Sequence, residues 1–252
     1  MKKNLLLATC MLFFATLAQA QTAEEIIEKY LKAIGGKEKW LELKNIKATG
    51  KGKQGQMEFP FTQIQATGGK QKTSFVFQGK EMTQPAFDGN VGWSTNFMTM
   101  KAEKMETEDA ENMKREGVDF PDPFIDYAKK GYKIALEGKE KVEGTECFKI
   151  KLTKKTTLVD GKEEENVVYY FFDTENFVPL VSRTVGKKGQ MKGLNMETVY
   201  SDYQEVNGLY FPFTIAQKMN GQVGFTIVIE KVELNVALDD KMFAFPTEEA
   251  KK

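Results

Sequence analysis

From Ile46 to the C-terminus, apolar and polar positions alternate with a period of two. Met57, Phe59 and Phe61 share one face of such a run, as do Phe75 and Phe77, Met98 and Met100, and Val223, Phe225, Ile227 and Ile229. Alternation of this kind predicts half-buried strands. The runs are punctuated by Asp88-Gly89, Asp160-Gly161, Asn207-Gly208 and Asn220-Gly221, which supply the positive φ of tight hairpin turns. Weaker turn signals lie at Gln54-Gly55, Gly68-Gly69, Glu143-Gly144 and Lys188-Gly189. Turns spaced by about 10–14 residues predict a meander of long antiparallel strands.

Helical spacing occurs in two places. Thr22-Ala-Glu-Glu25 forms a capping box, Ile26, Ile27, Tyr30, Leu31 and Ile34 follow on one face, and Gly35-Gly36 ends the run. A short second helix is expected over Lys37 to Leu43, with Trp40 and Leu41 as its apolar face. The meander is then interrupted by Thr107 to Glu116, whose Glu108 and Asp109 suit a helix N-terminus. Pro123, in the Phe120 to Tyr127 segment, suits the first position of another short helix.

The expected fold is mostly β with minor α: one large curved antiparallel sheet, an N-terminal helix and a helical insertion over residues 107–130. A sheet of roughly ten long strands must curl, split or close. One face of most strands carries charge, as in Lys149-x-Lys151, which does not suit the lipid-facing band of a membrane barrel. The other face is rich in Phe and Met, a lining that is more often packed core but also suits an adaptable apolar cavity.

The first residues read as an export signal. Lys2 and Lys3 precede an apolar stretch from Leu5 to Leu17, and Ala18-Gln19-Ala20 is a small-x-small cleavage site. Cleavage after Ala20 leaves one domain over residues 21–252, placed in the periplasm. Leu7-Ala8-Thr9-Cys10 resembles a lipidation box, but the apolar stretch before Cys10 is too short, so anchoring there is not expected. Cys147 is then the only cysteine left, so no internal disulfide can form, and it is read as an incidental thiol.

Composition narrows the chemistry. Basic and acidic residues balance at 36 each, which argues against a nucleic-acid partner. Arg115 and Arg183 are the only arginines, so a bidentate phosphate site is not indicated. The absence of histidine removes Ser-His-Asp and Cys-His nucleophile systems and the common zinc sites. Asp119, Asp122 and Asp126 lack calcium-loop spacing and read as a solvated loop. Glu163-Glu-Glu165 reads as a charged hairpin tip. No metal, cofactor or catalytic residue is assigned.

Three patches carry a resemblance. The first is Glu24-Glu-Ile-Ile-Glu-Lys-Tyr-Leu-Lys-Ala-Ile-Gly-Gly36, with Trp40 and Lys44-Asn-Ile-Lys47. The second joins Gly138 to Leu152 with Tyr169-Tyr-Phe-Phe-Asp-Thr-Glu-Asn-Phe-Val-Pro-Leu180. The third is Asp202-Tyr-Gln-Glu-Val-Asn-Gly-Leu-Tyr-Phe-Pro-Phe-Thr-Ile215. In this order they resemble exported outer-membrane lipoprotein-sorting proteins of the LolA/LolB-like superfamily, in the form found in the Bacteroides-type lineage. The resemblance implies a half-open barrel closed by helices, with a cavity for acyl chains of lipids or lipoproteins. It also implies a partner in inner- or outer-membrane sorting. The carriers' lid-holding arginine, set in the early strands, has no counterpart here, since no arginine precedes Arg115.

The expected function is therefore a non-enzymatic, monomeric acyl-chain carrier or binding protein. The expected cavity lining is Phe75, Phe77, Met98, Met100, Phe225 and Ile227. Phe120, Phe124, Ile125 and Tyr127 are expected to form a lid. The competing readings are an envelope interaction module with a filled core and a hydrolase of unknown type.

Overall fold

The computed structural model describes residues 21–246. The leader, its cleavage site and Cys10 lie outside the described residues. Helix α1 (Ala23–Ala33) opens with the expected capping box: Thr22 Oγ1 accepts from the Glu25 amide at 3.2 Å, and the Glu25 carboxylate accepts from the Thr22 amide at 3.2 Å. Helix α2 (Lys37–Leu41) buries Trp40, but Leu41 is exposed and Leu43, just past the helix, is buried instead. The chain leaves α2 before its next turn closes, so Leu43 rather than Leu41 reaches the core.

The strands are β1 (Asn45–Gln54), β2 (Met57–Ala66), β3 (Gln71–Phe77), β4 (Lys80–Phe87), β5 (Gly92–Thr95) and β6 (Ala102–Lys104). Helix α3 (Thr107–Glu116) follows. Then come β7 (Lys133–Val142), β8 (Thr145–Thr153), β9 (Thr157–Val159), β10 (Lys162–Glu164), β11 (Val167–Asp173), β12 (Pro179–Val185), β13 (Asn195–Val206), β14 (Leu209–Met219) and β15 (Gln222–Leu234). Thirteen of these form one antiparallel sheet in the order β6-β5-β4-β3-β2-β1-β15-β14-β13-β12-β11-β8-β7. The two halves of the meander join where β15 pairs with β1. No pairing links β6 to β7 among the described residues, so the sheet is a half-open barrel. Its edges are a three-residue strand and a strand alternating Lys and Glu, both poor templates for added strands.

Register fixes which residues face inward. On β1, Ile46, Ala48, Gly50 and Gly52 oppose Gln65, Gln63, Phe61 and Phe59 of β2. A bulge between Thr49 and Gly50 keeps Val232 and Ile229 of β15 on the same face. The inner face continues through Phe211 and Phe213 of β14, Tyr170 and Phe172 of β11, and Phe148, Ile150 and Leu152 of β8. Helix α1 packs on it through Ile26, Ile27 and Tyr30, joined by Ile34 just past the helix. The outer face holds two smaller clusters: Cys147 with Phe171 and Val181, and Phe243 with Ile64 and Ala66. Burial pushes the Cys147 thiol up to about 11, away from the thiolate range that reactive cysteines need.

Three sequence expectations are corrected. Met98 and Met100 are not on a strand: the side chain of Asn96 accepts from the amides of Met98 and Thr99, at 2.8 and 3.1 Å, and closes a turn after β5. No helix starts at Pro123, and residues 123–131 form consecutive turns. The Asp119–Asp126 loop is not simply solvated. Asp122 is buried, accepting from Tyr30 Oη at 2.6 Å and from the Phe124 amide at 2.8 Å.

Helix α3 has the expected bounds and no buried residue. It is held by polar contacts: Arg115 reaches Glu163 with two bonds of 2.8 and 3.0 Å, Lys188 pairs with Glu108, and Asn112 bonds both backbone groups of Leu158. Glu163, at a hairpin tip as expected, therefore serves as the dock for α3.

Candidate functional site

Two cavities open on the inner face. The first, about 270 Å³, lies between α1, the 121–124 segment and the middle of the sheet. Its walls include Tyr30, Trp40, Gln63, Gln65, Asp122, Tyr170, Tyr200 and Tyr203, with Ile46, Ala48 and Ile229 on its floor. The second, about 280 Å³, lies at one end of the half-barrel and is lined by Gln54, Met57, Phe59, Phe75, Phe77, Met82, Phe97 and Phe225. Both fall just below the roughly 300–1,000 Å³ typical of ligand sites.

The second cavity is built by hairpin tips. Gln54 and Met57 flank the β1–β2 turn, Phe77 precedes the β3–β4 turn, Phe97 sits in the β5–β6 turn, and Phe225 follows the β14–β15 turn. Its wall is an aromatic cluster: Phe59 stacks with Phe225 at 5.9 Å, and Phe75 meets Phe59, Phe61 and Phe225 at 5.3, 5.5 and 5.6 Å. Gly52 makes room for the stack, because a Cβ there would come within 2.5 Å of the Phe59 ring and 2.9 Å of the Phe225 ring. The rim is openly apolar: Phe97 is 65% exposed and Met98 95%, with Met57, Phe77 and Val223 also exposed. These exposed apolar side chains gather at one end of the half-barrel, around the mouth of the second cavity.

Of the six residues expected to line a cavity, Phe75, Phe77 and Phe225 come together in the second one. Ile227 is buried in the core beside it, while Met98 and Met100 sit on the neighbouring turn and line neither of these two cavities. Gln54, Met57, Phe59, Met82 and Phe97 were not among the expected lining residues. Phe59 was legible from its place between Met57 and Phe61, whereas Phe97 lies in a turn that carries no periodic signal.

The segment expected as a lid lies on the first cavity. Phe124 and Ile125 are fully buried, and Phe124 packs edge-on against Tyr30, Tyr170 and Phe172 at 5.8, 4.8 and 5.5 Å. Phe120 and Tyr127 are half-buried against the same core. Asp122 fastens this segment to α1 through Tyr30, and Lys37 holds Asp126 at 2.7 Å. Asp119 accepts from Tyr132 at 2.7 Å and pairs with Lys154 at 2.5 Å. The three aspartates thus have separate partners, and among the described residues no cluster of three or more acidic or cysteine side chains is arranged to hold a metal.

Burial pushes the Asp122 carboxyl above its usual range, against the lowering effect of the Tyr30 and Phe124 hydrogen bonds. The folded protein therefore holds this proton to higher pH than the unfolded chain. Its contribution to stability is largest in acid and declines as pH rises through the window above the ordinary carboxylate value. Urea unfolding from about pH 4 to pH 7 should show the parent losing stability relative to Asp122→Asn, which cannot titrate. Parallel pH profiles would contradict this.

Comparison with known proteins bears on the fold. No protein-family model matches the chain, and no curated protein does. Solved structures do. A DUF1329 family protein from Desulfovibrio piger superposes with a TM-score of 0.54 at 13% identity, covering 91% of this chain and 99% of that one. A putative outer membrane lipoprotein-sorting protein domain from Vibrio parahaemolyticus gives 0.52 at 12% identity, covering 87% and 94%. A LolA superfamily protein from Nitrosomonas europaea gives 0.51 at 14% identity, covering 89% and 98%. The chain has the LolA-like fold. Among the described residues, no helix is long and apolar enough to cross a membrane.

Proposed function

We propose that the chain is a periplasmic, non-enzymatic carrier or binding protein for acyl chains of lipids or lipoproteins. The observation that carries this reading is the second cavity, whose eight lining residues include one polar side chain, Gln54. The fold it shares with a lipoprotein-sorting domain and a LolA superfamily protein supports the same reading. The mechanism is partition. Each methylene moved from water gains about 0.8 kcal/mol, so a chain of about 14 carbons gains on the order of 10 kcal/mol before ordering costs. No catalytic step is required. The apolar rim at Phe97 and Met98 is where a chain enters and leaves, and where a membrane-sorting partner receives it.

Native mass spectrometry of the protein purified without detergent from its own envelope, followed by lipid analysis of an organic extract, tests this directly. The expected result is a mature chain beginning at Gln21 that carries an acyl-bearing molecule. A clean protein mass that also fails to take up added palmitate would overturn the reading and favour a filled-core interaction module.

A further inference from the structure

The first cavity differs chemically from the second. Its lining carries Gln63 and Gln65 amides and the Tyr170 hydroxyl, none of which has a hydrogen-bond partner among the described residues. Gln65 is exposed at the cavity mouth, while Gln63 and Tyr170 are half-buried; no fully buried side-chain nitrogen or oxygen among the described residues lacks a partner, so the Gln63 and Tyr170 polar groups face open space. The other phenols there are committed: Tyr30 to Asp122, Tyr200 to Ser182, Tyr203 to the Pro179 carbonyl and Tyr210 to Glu205, at 2.6, 3.0, 2.7 and 3.2 Å. Neither lysine nor arginine lines the cavity, and its one carboxyl is Asp122. Such a wall offers both donors and acceptors without positive charge, which suits hydroxyl, ester or amide groups and penalises phosphate or carboxylate.

The two cavities lie along one track. On the inner face of β2, Phe59 belongs to the second cavity, and Gln63 and Gln65 to the first, with only Phe61 between. Four strand residues span about 13 Å, well within the length of an extended lipid. Opposite this track, β1 presents Ala48, Gly50 and Gly52, and the space over the glycines is taken by the β15 backbone at Gly50 and by the Phe59 and Phe225 rings at Gly52. Phe61 is buried between the two cavities and packs on Phe75 at 5.5 Å, so a ligand that spans both must displace its ring.

We infer that the first cavity is a head-group site, which takes the uncharged, hydroxyl- or ester-bearing head of a lipid whose chain occupies the second. This rests on the acyl-chain reading, and the test separates the two. Binding of monopalmitoylglycerol, palmitate and palmitoyl lysophosphatidylglycerol, which share one chain, is measured by calorimetry on the full mature protein. Two or three new hydrogen bonds to a neutral head predict about tenfold tighter binding of monopalmitoylglycerol than of either anion. In the double variant Gln63→Leu/Tyr170→Phe, which keeps the aromatic ring and a side chain of similar bulk at 63, the three affinities should converge. Equal binding of the three by the parent, or a preference for an anion, would overturn the head-group site and leave the chain reading standing. Failure of all three to bind would overturn both.

Discussion

Phe124→Ala is expected to destabilise the protein by about 4 kcal/mol and to lower its melting temperature by on the order of 10 °C. The side chain is fully buried and touches three aromatic rings edge-on, those of Tyr30, Tyr170 and Phe172. Truncation loses the transfer energy of the ring, leaves a void against rigid neighbours, and removes edge-to-face contacts worth about 0.5–1.5 kcal/mol each. The void cannot collapse readily, because Asp122 holds the segment to α1 through Tyr30 and Lys130 holds the Asp122 carbonyl at 2.7 Å. A loss of this size is a large share of the roughly 5–15 kcal/mol that keeps a domain folded. Denaturant unfolding decides between two roles for the 120–127 segment. A cost under about 1 kcal/mol would show a loosely seated cover, whereas the expected cost makes the segment part of the core that roofs the first cavity.

The location of that core contact marks the limit of what the sequence shows. Local signals were readable. The bounds of α3 match because acidic residues at its start and Gly117 at its end act within one turn. Asn207-Gly208 and Asn220-Gly221 adopt positive φ at both positions, as their residue types demand. The inward placement of Phe75, Phe77 and Phe225 followed from alternation alone. Long-range facts were not readable. Asp122 meets Tyr30 across 92 residues, and nothing near Asp122 in the chain announces a buried partner. Met98 and Met100 alternate like strand residues, yet Asn96 two positions earlier uses its side chain to form a turn. Alternation over so short a run cannot outweigh a side chain that competes for backbone amides. Gln78-Gly79 makes a hairpin turn with positive φ at both positions, although glutamine is not a residue that seeks that conformation. Whether the inner face is filled or hollow depended on Gly52 and its neighbours in register, which required the pairing of β1 with β2 and β15.

Phe225→Asp is expected to weaken palmitate binding on the order of a hundredfold while leaving the fold intact. Phe225 forms one wall of the second cavity, stacked on Phe59 and edge-on to Phe75. Losing this wall costs a bound chain about 1.5–3 kcal/mol, and a carboxylate that the chain would strip of water costs at least about 1 kcal/mol more. In the free protein the new carboxylate is spared that cost. It sits at a mouth rimmed by exposed residues and can stay hydrated, so the loss of stability should be far smaller than for Phe124→Ala. The comparison with the head-group variant then assigns the two cavities separately. Phe225→Asp should weaken palmitate and monopalmitoylglycerol alike, because both bring the same chain. Gln63→Leu/Tyr170→Phe should act mainly on monopalmitoylglycerol, because only that ligand brings a neutral hydroxylated head. If Phe225→Asp binds palmitate as the parent does, the chain does not lie among these phenylalanines, and the aromatic end of the barrel is a contact surface only.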